Sequence, residues 1–161
     1  MVREMRRKDR MLDDAETRRL LDTAEYGVFC LSGDEGYPYG VPLNYVVEGD
    51  YVYAHGFMDG HKMDAVKNSP KASLTVVFAD DVEVMKDQIA TNYTSIIAFG
   101  KVDLIPMEEE VERMRIMQLI GGRFIPGEPA RTDAYIEKNK ANTNLIRFHI
   151  EQLSGKQRNV R

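Results

Sequence analysis

The 161 residues favour one compact domain, and a composition of 43% hydrophobic and 30% charged residues is that of an ordinary soluble globular protein. Cys30 is the only cysteine, which excludes a disulfide scaffold or a cysteine-rich zinc module and suits a reducing compartment. The 22 basic against 26 acidic residues give a formal charge of −4, so bulk electrostatics argue against a nucleic-acid binder.

Residues 1–12 form a basic arm carrying Arg3, Arg6, Arg7, Lys8 and Arg10 against Glu4 and Asp9. No apolar h-region follows it, and no uncharged apolar run approaches the roughly 20 residues of a membrane helix, so a cytoplasmic protein with no membrane partner is expected. Asp13 with Glu16 three residues on resembles a capping box, and the helix it opens presents Leu20, Leu21 and Ala24 inward until Gly27 ends it. Tyr26 to Leu31 is apolar on both faces, as a strand covered on both sides would be. After the turn cluster Ser32–Gly36 comes a strand from Tyr37 to Val47, whose Pro38 and Pro42 suggest an edge or a bulge. Glu48-Gly49-Asp50 is a hairpin turn, and Tyr51 to His55 returns from it.

Gly56 to Gly60 reads as a loop and His61 to Asn68 as a short helix with Met63 and Val66 inward. A strand over Ala72–Ala79 precedes a polar stretch, Asp80–Asn92, and Ser95 to Leu104 is a further strand. Pro106 opens an amphipathic helix over Glu108–Ile120 that Gly121-Gly122 breaks. An irregular loop, a helical turn or two over Thr132–Lys138, a last strand over Leu145–Leu153 and a C-terminal tail, 154–161, complete the chain. The sum is a mainly β fold with peripheral helices, a small antiparallel barrel in a single domain.

Nucleotide-binding fingerprints are missing: there is no G-x-G-x-x-G and no P-loop. Three histidines without carboxylates at ligand spacing give no metal site. Three segments stand out. In His55-Gly-Phe-Met-Asp-Gly-His-Lys62 the glycines permit close backbone approach, and Asp59 would cap the following helix. Lys62 then lies in a first turn, where the helix dipole favours anions; it is either a solvated lysine or shares an anion with the free N–H groups. Asn92-Tyr93-Thr94-Ser95 places hydroxyl and amide donors at a strand mouth, suited to phosphate oxygens or to plain loop chemistry. Tyr37 to Asn44 leaves backbone groups unpaired around its prolines, free for a planar ligand edge or simply protecting an edge strand.

Taken in order, Met5-Arg6-Arg7-Lys8-Asp9-Arg10, Gly40-Val41-Pro42-Leu43-Asn44-Tyr45, Tyr53-Ala54-His55-Gly56, Gly60-His61-Lys62, Ser95 to Gly100 and Leu153-Ser154-Gly155-Lys156 resemble the nitroimidazole-resistance proteins within the pyridoxamine 5′-phosphate oxidase-like flavoproteins. That resemblance implies a split β-barrel binding FMN at a homodimer interface. It implies that Lys62 holds the phosphate with Gly60 and His61 at the helix start, and that Tyr93, Thr94 and Ser95 add hydroxyl contacts. Val41, Pro42, Leu43 and Asn44 would lie along the isoalloxazine ring, and His55 near flavin and substrate, as the one candidate catalytic residue. The implied activity is an oxidoreductase carrying electrons from NAD(P)H through FMN to a small (nitro)aromatic substrate. A B6-vitamer oxidase and a non-catalytic flavin or haem binder are the alternatives.

Overall fold

The computed structural model describes residues 4–159, with Ala79, Asp80 and Met85 described by their backbone alone. Asp13 accepts a hydrogen bond from the Glu16 N–H (2.8 Å) and so caps α1, Asp14–Thr23. Leu21 of this helix is fully buried, and its carbonyl accepts from the buried Tyr45 hydroxyl at 2.7 Å. The helix ends at Thr23. Gly27 belongs instead to β1, Tyr26–Ser32, where a Cβ would meet the Leu74 side chain at 2.6 Å.

Five further strands follow: β2, Pro38–Glu48; β3, Tyr51–Phe57; β4, Lys71–Met85; β5, Gln88–Leu104; and β6, Thr143–Arg158. They close into an antiparallel barrel in the order β1-β2-β3-β6-β5-β4, filled by residues such as Phe29, Val52, Leu74, Ile96 and Phe148. Phe29 and Phe148 meet edge to face, with ring centres 5.9 Å apart. Gly49, at φ +59°, makes the β2–β3 turn.

The ring is not paired along its whole length. β2 bonds to β1 along 38–44 but to β3 only along 45–48, while β3 continues against β6 as far as Phe57. β2 and β3 therefore part beyond Tyr45 and Ala54. Pro38 and Pro42 lie in the half of β2 with one unpaired edge, where a residue without an N–H costs no ladder bond.

Four helices serve this frame. The helix α2, His61–Asn68, inserts Met63, Ala65 and Val66 into the barrel core. The helices α3, Glu110–Phe124, and α4, Pro129–Asn139, lie outside, sealing Ile116, Met117 and Ile136 against Val46, Tyr53 and Leu145. Gly121 and Gly122 do not break α3. A Cβ on Gly121 would fall on the Thr132 side chain, so the glycine is where α3 and α4 cross closely.

Other boundaries also differ from the sequence reading. Gly56 and Phe57 continue β3. Residues 154–158 are strand rather than tail, paired with β5 from Tyr93 to Ile97. The stretch Asp80–Asn92 is the outer half of a continuous β4–β5 hairpin that projects past the barrel, with Val82, Val84 and Ile89 exposed on it. Among the described residues nothing covers the second face of β1: Val28 on it stays open to solvent. Among the described residues, no helix is long and apolar enough to cross a membrane.

Candidate functional site

Lys62 is the centre of the first half of the site. Gly60, at φ +110°, is the N-cap of α2, and Asp59 does not cap it. The Met63 and Asp64 N–H groups bond back to the Gly60 carbonyl (2.9 and 3.2 Å), which leaves the His61 and Lys62 N–H groups without intrahelical partners. The Lys62 side chain runs across Gly56: a Cβ there would sit 2.5 Å from its Cε and 3.0 Å from its Nζ. Gly56 is thus needed for the lysine to reach back over β3. No carboxylate among the described residues forms an ion pair with Lys62.

His55 precedes that glycine. Burial against the surrounding protein, and then the Lys62 charge, hold its pKa below the ordinary 6.5, so the ring is neutral at pH 7 although one edge stays open to solvent. His61 turns the other way: its ring stacks on Tyr39 (4.0 Å between centres), and Nε2 lies 3.7 Å from Asp34. Along β2, Val41 and Leu43 pack on the barrel core, whereas Pro42 and Asn44 face outward. Asn44 is oriented by its Nδ2–H, which donates to the Glu25 carbonyl at 2.9 Å.

Asn44 and His55 open onto a cavity of about 370 Å³ between the parted strands and the two outer helices. Its walls are apolar, built from Met117, Ile120, Phe124, Ile136 and Leu145, with Tyr135 and Thr132 among them. Lys140 is the one lysine or arginine on that wall, and Glu137 pairs with it at 2.8 Å. The sequence reading gave these helices no part in the site. The close α3–α4 crossing that shapes the wall had one trace in the sequence, the Gly121-Gly122 pair.

Tyr93, Thr94 and Ser95 lie elsewhere. They are on β5, three strands from β2 in either direction around the ring. Thr94 Oγ1 accepts from Gln157 (3.0 Å), and Ser95 is the cross-strand neighbour of Lys156. Burial pushes the Tyr93 pKa up, but hydrogen bonds from Lys156 and Arg10 outweigh it and hold the phenol below its ordinary value. Next to these residues the barrel wall is bare and apolar: Val77, Ile97 and Phe99 are 57%, 38% and 38% exposed on neighbouring strands.

A closed six-stranded barrel with one parted seam and helices over that seam define a split-barrel fold. The model of the pyridoxamine 5′-phosphate oxidase family matches residues 13–157, and the chain belongs to that family. The family expected from the ordered motifs is the family found. Its fold is shared with a candidate 5-nitroimidazole antibiotic resistance protein of Bacteroides thetaiotaomicron VPI-5482, at 19% identity and TM-score 0.71 over 91% of this chain and 85% of that one. The flavocytochrome Anf3 of Azotobacter vinelandii superimposes with TM-score 0.78 at 24% identity, over 97% and 72%. An FAD and haem binding protein of Mycobacterium smegmatis does so with TM-score 0.74 at 25% identity, over 90% and 71%. Comparison with curated protein sequences found no match.

Proposed function

We propose that this protein is an FMN-dependent oxidoreductase whose two flavin sites form between two copies of the chain, and that it passes electrons from a reduced nicotinamide to a small aromatic acceptor of the nitroaromatic class. The observation that carries the reading is Lys62: a cation with no carboxylate partner among the described residues, laid over Gly56 beside an uncapped helix start. A phosphate dianion suits that donor set, since a lysine and two backbone N–H groups can neutralise it without a basic surface. The unpaired edge of β2 along Val41–Asn44 offers backbone donors and acceptors to the rim of a flat ring.

FMN, when bound, supplies the hydride and electron transfer. The chain's own groups bind, orient and exclude water. Lys62 and the N–H groups of His61 and Lys62 hold the phosphate, Pro42 limits the ring on one side, and Asn44 is fixed by Glu25. Neutral His55 offers a ring nitrogen at the mouth of the cavity, where Met117, Ile120 and Phe124 keep solvent from a substrate. With Lys140 already paired, the cavity holds no free cation for a phosphorylated B6 vitamer, which favours an uncharged acceptor. The splitting of the site residues between opposite sides of the barrel supports a homodimer, and nothing in the balance of charge calls for nucleic acid.

The test is the purified protein itself. The expected result is flavin absorbance from stoichiometric FMN, reduction by NADH or NADPH, and turnover of a nitroaromatic compound. A Soret band instead of flavin absorbance, or flavin that reduced nicotinamide leaves oxidised, contradicts the reading and points to a binding or storage protein.

A further inference from the structure

The cavity between the parted strands and the outer helices adjoins the proposed flavin strip without coinciding with it. Of the residues assigned to the cofactor only Asn44 and His55 line it, and Pro42 and Lys62 do not. Asn44 of β2, His55 of β3 and Leu145 of β6 form its sheet side, where His55 and Leu145 are cross-strand neighbours. Ile120 and Phe124 of α3 and Ile136 of α4 form its helix side.

Charge and size both restrict what this cavity can take. Among the described residues no aspartate or glutamate lines it, and its one lysine, Lys140, is already paired with Glu137 at 2.8 Å. An ionised ligand would leave water there without a counter-charge, which is costly. Neutral His55 has one N–H to donate, and Asn44, fixed by one N–H to the Glu25 carbonyl, has a second. A cavity of roughly 150 Å³ lined by aliphatic and aromatic side chains takes up a single benzene ring. At about 370 Å³ this one has room for more than twice that volume. A one-ring ligand would leave over half of its lining without partner atoms, and so without their dispersion contacts.

We propose that this cavity selects uncharged nitroarenes of two or three fused rings over single-ring ones, with Ile120 and Phe124 setting the size limit. The inference rests on the reading above in taking the acceptor to be a nitroaromatic compound. The fused rings fill the space between the sheet side and the helix side, where Ile120, Phe124, Ile136 and Leu145 supply apolar contact. The nitro oxygens accept hydrogen bonds and donate none, so they belong with the N–H groups of Asn44 and His55.

Equilibrium dialysis of nitrobenzene, 1-nitronaphthalene and 2-nitrofluorene against the full-length protein, as purified and after addition of FMN, tests this. The wild type should bind one fused-ring molecule per chain, about tenfold or more tighter than nitrobenzene. A carboxylated nitronaphthalene should bind about tenfold weaker than 1-nitronaphthalene. Ile120→Trp fills the cavity and should weaken both fused-ring compounds by about tenfold or more while leaving nitrobenzene within about twofold. Phe124→Trp, at a partly exposed position, should act in the same direction and serves should Ile120→Trp fold poorly, with circular dichroism checking each protein. Partition of a greasier compound into any apolar site cannot produce this pattern, because the tryptophan variants leave partition unchanged. Equal wild-type affinity for nitrobenzene and 1-nitronaphthalene, a carboxylated analogue held as tightly as the neutral one, or folded tryptophan variants that weaken all compounds alike or none, overturns the proposal. Protein that takes up no FMN yet shows the pattern refutes the functional reading and leaves the selectivity standing. Protein that holds FMN and reduces it with NADH or NADPH, but lacks the pattern, refutes the selectivity alone.

Discussion

Two outer walls of one barrel receive opposite treatment. Where β2, β3 and β6 turn Val46, Tyr53 and Leu145 outward, α3 and α4 cover them, and these residues are buried. Where β1, β4 and β5 turn Val28, Val77, Ile97 and Phe99 outward, nothing among the described residues covers them, and all four stay open to solvent. An exposed apolar cluster of this character supports the proposed homodimer. The candidate site follows the same division: Pro42, His55 and Lys62 belong with the parted seam, Tyr93 and Ser95 with the bare wall. In the proposed dimer the seam of one copy would meet the bare wall of the other, which adjoins it where Val28 pairs with Pro42, so that two copies together enclose each flavin.

The comparison breaks most sharply at the bare wall itself. Ile97→Asp with Phe99→Asp places two carboxylates where a partner would desolvate them, at a cost of several kcal/mol, so sedimentation should report a monomer and bound flavin should be lost. The same pair should barely alter the thermal unfolding of the isolated chain, since neither residue is part of its core. On the seam side, Lys62→Ala removes one charge-assisted contact and should weaken FMN binding by about 2 kcal/mol, near thirtyfold, with riboflavin binding unchanged. Fluorescence titration of the two flavins separates that outcome from general damage.

The covered wall is probed by its glycines. Gly121→Ala forces α3 off Thr132 and should cost about 1–3 kcal/mol in denaturant unfolding, narrowing or tilting the cavity wall as well. Gly122, whose Cβ would meet nothing, should tolerate alanine or gain up to about 1 kcal/mol from helix propensity. The smallest expected effect is a pH effect. His55 has a folded pKa below 6.5, so the unfolded chain binds the proton more readily, and stability falls as pH drops from 6.5 toward the folded value. His55→Gln should flatten that part of the stability profile and leave the region above pH 7 unchanged.

Much of this frame was legible in the residues. Asp13 and Glu16 marked the first helix, Glu48-Gly49-Asp50 marked the hairpin, and the bounds of α2 fell where His61 and Asn68 set them. What escaped has physical causes. On the β4–β5 arm Val82, Val84 and Ile89 lie exposed among acids and glutamine, so they give no core face to read. Gly121 looked like a helix break because a close crossing with Thr132, far along the chain, was invisible locally. Tyr26 to Leu31 looked doubly covered because its outward Tyr26 and Val28 are as apolar as the Phe29 and Leu31 that face the core. Val41 to Asn44 was read as one strip, yet strand alternation sends Val41 and Leu43 inward and turns Pro42 and Asn44 outward.

If each flavin site takes residues from two copies, as proposed, mixing two broken proteins tests it most directly. Lys62→Ala damages one half of each site and Ser95→Asp the other, so neither homodimer should retain FMN well. Unfolding and refolding the two together should restore high-affinity FMN binding to about a quarter of all sites, since half the dimers are mixed and each holds one intact site. If the mixture binds no more FMN than the average of the two variants alone, the site lies within a single chain and the account is wrong.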